Sequence, residues 1–359
     1  MVKKAKKLLF APLDWGMGHT TRSIPLIRYL QSIGHHITFA GNDSQCALIK
    51  ENLQVETIYL EGYNITYSKR GSTFSAHLLL QVPKILLAIK KEKQWLDSLL
   101  SIRQFDGIVS DNRYGMYYAG IPSVIMTHQL RIQTGWGNLA DSLLQYLHYR
   151  FLNRFSERWI VDVPGNGLAG QLSHPAHIPS YSYYIGLLSQ LRKPENAAEG
   201  SALLILLSGP EPQRTILADL LWKQTHKHTG KVIFIEGNAG KTRKEIPAHI
   251  TWYAQVNNAM LQQLAEQAAM VICRSGYSTI MDIIRLNKKA ILIPTPGQTE
   301  QEYLGNYLYS KNLFFTTPQK GFNIDDALGA VTEFPFNRII NDTEFSQFVP
   351  VIDRWLSGF

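Results

Sequence analysis

The chain has 359 residues, of which 45% are hydrophobic and 18% are charged, and its formal net charge at pH 7 is +8. This composition excludes a disordered chain, and the length predicts about two domains. Two cysteines, Cys46 and Cys273, exclude a disulfide framework and indicate a reducing compartment. The sequence has no apolar run of about 18 residues, and the run after the first lysines is too short for a signal peptide. We therefore expect a cytoplasmic protein.

The positive charge lies in the first half of the chain. Residues 1–190 carry 19 basic and 12 acidic side chains, a formal charge of +7, and residues 191–359 carry 17 and 16, a charge of +1. A basic half favours an anionic surface as partner, which could be a nucleic acid or the inner face of a membrane. The alternative is a charge that only keeps the protein soluble. No recognised nucleic-acid motif accompanies the charge, so we expect no nucleic-acid partner.

The first half alternates strands and helices. The apolar pattern predicts strands at 7–12, 36–40, 54–60, 107–110, 123–126 and 159–162, a glycine turn at 13–19, and helices at 20–33, 44–51, 81–103 and 138–158. The order at the amino terminus is βαβαβ, which is typical of a doubly wound sheet. Residues 61–80 show no regular pattern.

The second half repeats this alternation after a polar stretch at 187–200, the best candidate for a linker. Strands are predicted at 203–207, 232–235, 250–253, 268–272 and 290–294. Helices are predicted from after 211 to about 227, at 260–267 and at 279–286, with a last helix at 344–355. The fold class is therefore α/β, with two doubly wound, Rossmann-like domains. We expect a first domain at 1–188, a second domain at 199–336, and a final segment at 337–359.

Two side chains in the first half are candidates for catalysis. His19 lies at the tip of the glycine turn that contains Gly16 and Gly18, and Asp111 ends a later strand. The carboxyl ends of parallel strands share one edge of the sheet, so Asp111 could orient His19 as a base. Asp14 is a rival partner for His19. The simpler alternatives are a histidine satisfied by solvent and an aspartate that caps a helix.

Other residues of the first half could shape an acceptor site. His128 and Gln129 follow the strand at 123–126 on the same predicted edge, although an ordinary loop would serve equally well. The helices at 81–103 and 138–158 combine apolar faces with lysines and arginines, as interfacial helices do. Core packing with solvated basic side chains explains the same pattern.

The second half offers an anion site. Arg274, Ser275 and Gly276 form a turn between a strand and a helix that contains Thr279, and a helix amino terminus attracts anions. Ser208, Gly209 and Arg214 follow another strand and could hold phosphate, with Glu211 expected to point away. A polar loop at 295–306 supplies carboxamides and carboxylates that could bind sugar hydroxyls. Neither cysteine has a metal-ligand neighbour, so we expect no obligatory metal and no cofactor.

These motifs resemble those of GT-B glycosyltransferases, and more closely those of glycosyltransferase family 28. The similarity rests on Gly16-Met17-Gly18-His19 with Arg22, on Cys273-Arg274-Ser275-Gly276 with Thr279 and Asp282, and on the stretch from Pro294 to Tyr303. They cover about 50 residues. The alternation of elements fits along the whole chain. The resemblance implies two Rossmann-like domains with a cleft between them. The first, at 1–188, would bind the acceptor, the second, at 199–336, would bind the nucleotide sugar, and a C-terminal helix at 337–359 would cross back to the first domain.

The resemblance also implies roles for single residues. Arg274, Ser275 and Gly276 would meet the diphosphate of a nucleotide sugar, and Asp282 would hold the ribose, where the family commonly has Glu. The backbone at Val256 would read the uracil. Gln301 and Glu302 would bind sugar hydroxyls, and Glu302 replaces a family Gln, so it bears on which sugar is used. His19 would deprotonate the acceptor.

The resemblance therefore implies an inverting, metal-independent glycosyltransferase, a hexosyl- or N-acetylhexosaminyltransferase. It would move a sugar from a UDP-sugar to a hydroxyl of a small or lipid-linked acceptor. Such relatives often work at the inner membrane face, which agrees with the basic first half. A non-hydrolysing UDP-sugar epimerase and a non-enzymatic sugar- or lipid-binding protein of the same fold are the alternatives.

Overall fold

The computed structural model describes residues 4–65, 80–132, 137–165, 167–194, 200–337 and 342–359. These residues fall into two compact units. The first unit holds the described residues up to 190 and those from 342 to 359, and the second holds those from 191 to 337. Parts of three sequence-based predictions lie outside the described residues: the irregular stretch at 66–79, the linker and boundary at 195–199, and the segment at 338–341.

The first unit is built on a parallel sheet of seven strands. The strands are β1 (Lys7–Pro12), β2 (His36–Gly41), β3 (Glu56–Tyr59), β4 (Gly107–Asp111), β5 (Ser123–Thr127), β6 (Glu157–Ile160) and β7 (Ser182–Tyr184). The helices are α1 (Gly18–Ser32), α2 (Asp43–Asn52), α3 (Val82–Leu100) and α4 (Asn138–Leu152). The strand order in the sheet is β3-β2-β1-β4-β5-β6-β7.

Burial explains why the central strands are mostly apolar. All five residues of β4 and all five of β5 are buried, as are the residues of β1 after its first lysine. Strands that are covered on both faces read as continuous apolar runs, which is the pattern of the sequence. The final helix belongs to this unit as well, where the indole of Trp355 packs edge-on against that of Trp159 with ring centroids 5.3 Å apart.

The second unit is a parallel sheet of six strands. They are β8 (Ala202–Leu206), β9 (Val232–Ile235), β10 (Ile250–Tyr253), β11 (Ala268–Cys273), β12 (Lys289–Leu292) and β13 (Phe315–Thr316). The helices of this unit are α5 (Gln213–Thr225), α6 (Asn258–Glu266), α7 (Tyr277–Arg285), α8 (Thr299–Ser310) and α9 (Ile324–Thr332), and α10 (Phe348–Ser357) is the final helix in the first unit. The strand order is β10-β9-β8-β11-β12-β13.

In both sheets the order of the strands reverses beside the first strand of the unit. In the first unit the reversal lies between β1 and β4, where Pro12 pairs with Asp111. In the second it lies between β8 and β11, where Leu206 pairs with Cys273. Parallel sheets bind ligands outside the carboxyl ends of the strands at such a reversal. The loops that begin at these four strand ends are therefore the places to look for function.

Two predicted elements are wrong in extent. The helix predicted at 138–158 ends at Leu152, because the chain turns at Asn153 and enters β6 at Glu157, with Phe155 buried in between. The polar loop predicted at 295–306 is a loop only as far as Gln298, after which α8 begins. The short strands β7 and β13 and the helix α9 were not predicted.

Candidate functional site

His19 lies where the sequence motif predicts it, at the carboxyl end of β1. The chain leaves β1, turns through Gly16 with a φ of +85°, and starts α1 at Gly18. A positive φ favours glycine, so Gly16 makes the turn possible. His19 is the second residue of α1, and its side chain is 14% exposed. Its ring is thus held by the helix while one side remains open.

Asp111 is the partner of His19. It is the last residue of β4 and is 2% exposed, and its Oδ1 lies 2.9 Å from Nδ1 of His19. The rival Asp14 instead accepts a hydrogen bond from the backbone N–H of Tyr63 at 2.9 Å. Of the two partners that the sequence left open, the structure brings only Asp111 to the ring.

Arg22 is a member of this cluster whose role the sequence did not reveal. It follows His19 by one turn of α1, is 1% exposed, and donates from Nε to Asp111 Oδ2 at 2.5 Å and from Nη2 to Asp111 Oδ1. Its Nη1 lies 3.2 Å from Nδ1 of His128. The spacing of an arginine three residues after a candidate base is the signal in the sequence, because residues at this spacing share a helix face.

The charges of the cluster favour a neutral ring beside an ionised carboxylate. Burial lowers the pKa of His19 most strongly, the charge of Arg22 lowers it further, and the charge of Asp111 only partly offsets them. Burial raises the pKa of Asp111, but the charge and hydrogen bonds of Arg22 and His19 outweigh it and hold that pKa well below its usual range. With Asp111 ionised, Nδ1–H of His19 is the donor and Nε2 keeps its lone pair. A histidine in that state can accept a proton at neutral pH.

The predicted acceptor residues lie at the same edge of the sheet. His128 follows β5 and is buried, and Gln129 next to it is half-buried. The carbonyl oxygen of Gln129 accepts a hydrogen bond from Nε2 of His148 on α4 at 3.0 Å. Gly16 and Gly18 are half-buried in the turn. The structure therefore connects His19, Asp111 and His128 through Arg22.

In the second unit, Gly276 opens α7. It occupies the N-cap position with φ −72° and ψ 134°, and no side chain caps the first turn. A Cβ added at Gly276 would meet no atom within 4 Å, so the space before the helix is open. The hydroxyl of Thr279 in the first turn lies 3.5 Å from that of Ser208, which follows β8. This reversal point thus combines a helix amino terminus with two hydroxyl groups.

Arg274 and Ser275 are buried in contacts to the backbone. The guanidinium of Arg274 is 2% exposed and donates to the carbonyl oxygens of Ile293, Pro294 and Gln213 at 2.8 to 3.2 Å. The hydroxyl of Ser275 donates to the carbonyl of Gln301 at 2.8 Å. Both side chains are thus committed to hydrogen bonds with backbone carbonyls. This geometry differs from the expectation that they face a diphosphate.

Arg214 and Glu211 differ from the expectation in a related way. Glu211 does not point away, because its Oε1 accepts hydrogen bonds from Nη2 of Arg214 at 2.7 Å and from Nε at 3.1 Å. Nη1 of Arg214 donates to the carbonyl of Gly237 after β9. The opposite charges of Arg214 and Glu211 offset each other, and Arg214 links the loop after β8 to the loop after β9. Gly209 has a φ of +101° and open space beside its Cα.

Gln301 and Glu302 lie in the first turn of α8, and both bind the loop before it. Oε1 of Gln301 accepts from the backbone N–H of Thr295 at 3.0 Å, and Oε1 of Glu302 accepts from that of Gly297 at 2.8 Å. Gln301 is 6% exposed, whereas Glu302 is exposed. These contacts fix the shape of the loop, and Glu302 is the one that also reaches solvent.

The remaining donor candidates lie near the same edge. Asp282 is on α7 and is 8% exposed. Val256 is half-buried between β10 and α6, and within the described chain its backbone N–H and C=O make no hydrogen bond. Such groups are available to a ligand, as the prediction for Val256 requires. Among the described residues, no group of three or more His, Cys, Asp or Glu side chains could hold a metal ion.

Comparison with known proteins gives the class. Residues 215–325 match the family model of the glycosyltransferase family 28 C-terminal domain. The chain is 24% identical over 347 residues to the UDP-N-acetylglucosamine--N-acetylmuramyl-(pentapeptide) pyrophosphoryl-undecaprenol N-acetylglucosamine transferase of Haemophilus ducreyi, covering 90% of this chain and 88% of the relative. It is 26% identical over 212 residues to the enzyme of the same name from Amoebophilus asiaticus, covering 53% and 55%.

Solved structures give the fold. The glycotransferase of kitacinnamycin superposes with a TM-score of 0.67 at 15% identity and covers 98% of this chain and 100% of its own. MurG of Acinetobacter baumannii superposes with a TM-score of 0.53 at 12% identity, covering 97% and 95%. The chain has the GT-B fold of these proteins, and the predicted resemblance to family 28 is confirmed. The predicted class of enzyme, a glycosyltransferase, is confirmed as well.

Proposed function

We propose that this glycosyltransferase moves a sugar from a UDP-sugar to a hydroxyl of a lipid-linked acceptor, in one displacement that inverts the anomeric centre and needs no bound metal. The observation that carries the proposal is the His19–Asp111 pair at the reversal point of the first sheet. The names of the two relatives from Haemophilus and Amoebophilus support the donor and acceptor classes. The choice of sugar is left open by Glu302.

His19 acts as the base in this proposal. As the acceptor hydroxyl attacks the anomeric carbon, its proton passes to Nε2 of His19, and the bond from that carbon to the diphosphate breaks. Asp111 holds Nδ1–H and stabilises the imidazolium that forms, because a carboxylate beside the ring offsets its new charge. Attack from the face opposite the leaving group inverts the configuration.

The donor diphosphate would be held at the start of α7. The open space before Gly276 admits an anion, the helix dipole attracts it, and the hydroxyls of Ser208 and Thr279 are close by. Such preorganised donors stabilise the charge that develops on the leaving UDP. This is the argument for transfer without a metal ion. The backbone at Val256 is the group proposed to read the uracil.

A surface of the first unit would meet the membrane that carries the acceptor. Its apolar side chains on α3 and α4 are unusually exposed, from 40% to 90%: Leu86, Leu87, Leu139, Leu143, Tyr146 and Leu147. Exposed lysines and arginines accompany them, among them Lys84, Lys90 and Arg150. Apolar side chains with basic neighbours suit the interface of an anionic bilayer. No helix in the described part of the chain is long and apolar enough to span a membrane.

A transfer assay tests the proposed function. The protein is first screened against nucleotide sugars by calorimetry, and the donors that bind are then incubated with an undecaprenyl-pyrophosphate-linked sugar acceptor, with and without EDTA. We expect UDP-sugars alone to bind, transfer to persist in EDTA, and NMR of the product to show an inverted anomeric centre. A new sugar formed from donor without acceptor, or no UDP-sugar binding at all, would contradict the proposal.

A further inference from the structure

Arg22 connects every ionisable side chain of the candidate catalytic cluster. Its fork donates to both oxygens of Asp111, Nη2 also lies 2.9 Å from Nδ1 of His19, and Nη1 reaches Nδ1 of His128. The side chain is 1% exposed and forms one of the largest fully buried groups of the protein. An arginine that is buried to this extent adds no charge to the surface, so these contacts are the place to look for its role.

The carboxylate that Arg22 holds in place favours one tautomer for His19. An ionised carboxylate only accepts, so the 2.9 Å contact between Oδ1 of Asp111 and Nδ1 of His19 is a hydrogen bond when Nδ1 carries the proton, and Nη2 of Arg22 donates to the same oxygen. If Nδ1 of His19 accepted from Arg22 instead, the ring proton would lie on Nε2 and the base would be lost. Because Arg22 already occupies Oδ2 and Oδ1, Asp111 cannot rotate away, and its lone pairs stay directed at the histidine.

Arg22 also balances charge. The titratable groups that act on His19 within the described residues are Asp111 from β4, Arg22 on the same helix and His128 after β5. An unscreened buried carboxylate would favour the imidazolium form of His19, and the positive charge of Arg22 opposes this. A protonated His19 has no lone pair to offer. The guanidinium therefore preserves the form of His19 that can work as a base.

We propose that Arg22 is a positioning residue for His19: it holds Asp111 in place and keeps Nε2 of His19 unprotonated, which extends activity to lower pH. The inference rests on the proposed role of His19 as base. It adds to that role a third group, which acts through Asp111 and His19 and does not touch the substrate. In a purely structural role Arg22 would influence folding but not the titration of His19.

The direct test is a titration of His19 by NMR on the full chain with ¹³C-labelled histidine, assigned by comparison with His19→Gln. In Arg22→Gln we expect the protonation midpoint of His19 to rise by roughly one unit or more, the effect of a nearby charge. Arg28→Gln is the matched control, because Arg28 is an exposed arginine on the same helix, and its midpoint should equal that of the wild type. An unchanged midpoint in folded Arg22→Gln would overturn the proposal.

Transfer kinetics give a second readout. In Arg22→Gln the acid limb of kcat/KM should move to higher pH by the same amount as the midpoint, so that activity recovers in part as the pH is raised. Arg22→Lys keeps the charge but cannot form the fork, and should lose kcat without moving the limb. If Arg22→Gln does not fold, wild-type kcat/KM in Arg22→Lys at every pH would overturn the proposal. The titration uses no substrate, so a failed transfer assay would count against the proposed function alone.

Discussion

His19 has the surroundings of a base because two charged residues from different elements act on its ring. Asp111 comes from β4, Arg22 from the next turn of α1, and the glycine turn leaves the outer side of the ring open. Sequence patterns predicted His19 and Asp111, since His19 lies in the turn after one strand and Asp111 ends another, and the two strands share an edge of the sheet. The motif at 16–22 includes Arg22, but its contact with Asp111 could not be predicted, because the pattern of an amphipathic helix does not show which polar side chain turns inward.

In the second unit, the sequence predicted the turn that opens a helix but not the direction in which its side chains point. The turn at 273–276 does open a helix, but the charged side chain within it faces the backbone behind. A sequence gives the order of residues along a turn and not the direction of each side chain. Gly276 is the residue of this turn that borders the open space at the helix amino terminus.

Gly276→Asp tests that amino terminus. The new side chain meets no atom within 4 Å of its Cβ, and aspartate is a favoured N-cap, so stability should stay equal or rise by a few tenths of a kcal/mol. The same carboxylate would occupy the N–H groups and repel a diphosphate, so calorimetry should detect no UDP binding. Gly276→Ala is the control and should still bind UDP. Equal UDP affinity in Gly276→Asp would rule out the phosphate site.

His148 makes stability depend on pH. Burial lowers its pKa to about 4, while the hydrogen bond to the carbonyl of Gln129 acts weakly in the other direction. Because the folded pKa is below the unfolded value, its contribution is complete above pH 6.5 and is lost as the pH falls toward 4. Between pH 7 and 5 this amounts to about 2 kcal/mol.

Urea denaturation measures the effect of His148. The wild type should lose about 2 kcal/mol more unfolding free energy than His148→Gln between pH 7 and pH 5. His177→Gln, which changes an exposed histidine, should behave like the wild type. The same pH dependence in His148→Gln and in the wild type would show that another group is responsible.

At the scale of elements, strands and helices with strong periodicity were predicted and short or aromatic ones were not. β7 has three residues and β13 two, too few for an alternating pattern. The run at 138–158 mixes aromatic side chains and arginines, which fit a helix and a buried strand equally well, so the break at Asn153 was missed. Gln301 and Glu302 were predicted to lie in a loop, but they belong to α8. Carboxamides and carboxylates are common both in polar loops and in the first turns of helices, so residue type did not distinguish the two.

The exposed face of α4 offers a test at this scale. Leu139 and Leu143 are 90% and 62% exposed and lie one turn apart. The double change Leu139→Glu with Leu143→Glu should leave the fold intact and reduce co-sedimentation with phosphatidylglycerol vesicles by roughly tenfold or more, because it removes apolar contact and adds repulsion.

A matched control uses another exposed apolar residue of the first unit. Ile102, which is 79% exposed beyond the end of α3, is changed to Glu, and vesicle binding should stay near that of the wild type. Phosphatidylcholine vesicles should bind every variant weakly. Full binding of the double variant to anionic vesicles would remove α4 from the proposed membrane surface.

At the scale of the molecule, the chain builds one architecture twice. Each unit is a parallel sheet whose strand order reverses beside its first strand. His19 with Asp111 and Gly276 with Ser208 lie at these reversals. The alternation of apolar runs and helices predicted this, because parallel strands need a crossover and the crossovers have one hand. The composition of the two reversal points differs: a histidine–carboxylate pair in one unit, an open helix start in the other.

The central claim is that His19 is the base of transfer from a UDP-sugar. The most direct measurement compares His19→Ala with the wild type in two assays, UDP binding by calorimetry and the initial rate of sugar transfer to a lipid-linked acceptor. We predict unchanged UDP affinity and a rate lower by roughly 10²-fold or more, the usual loss on removing a general base. Transfer by His19→Ala at close to the wild-type rate would contradict the account.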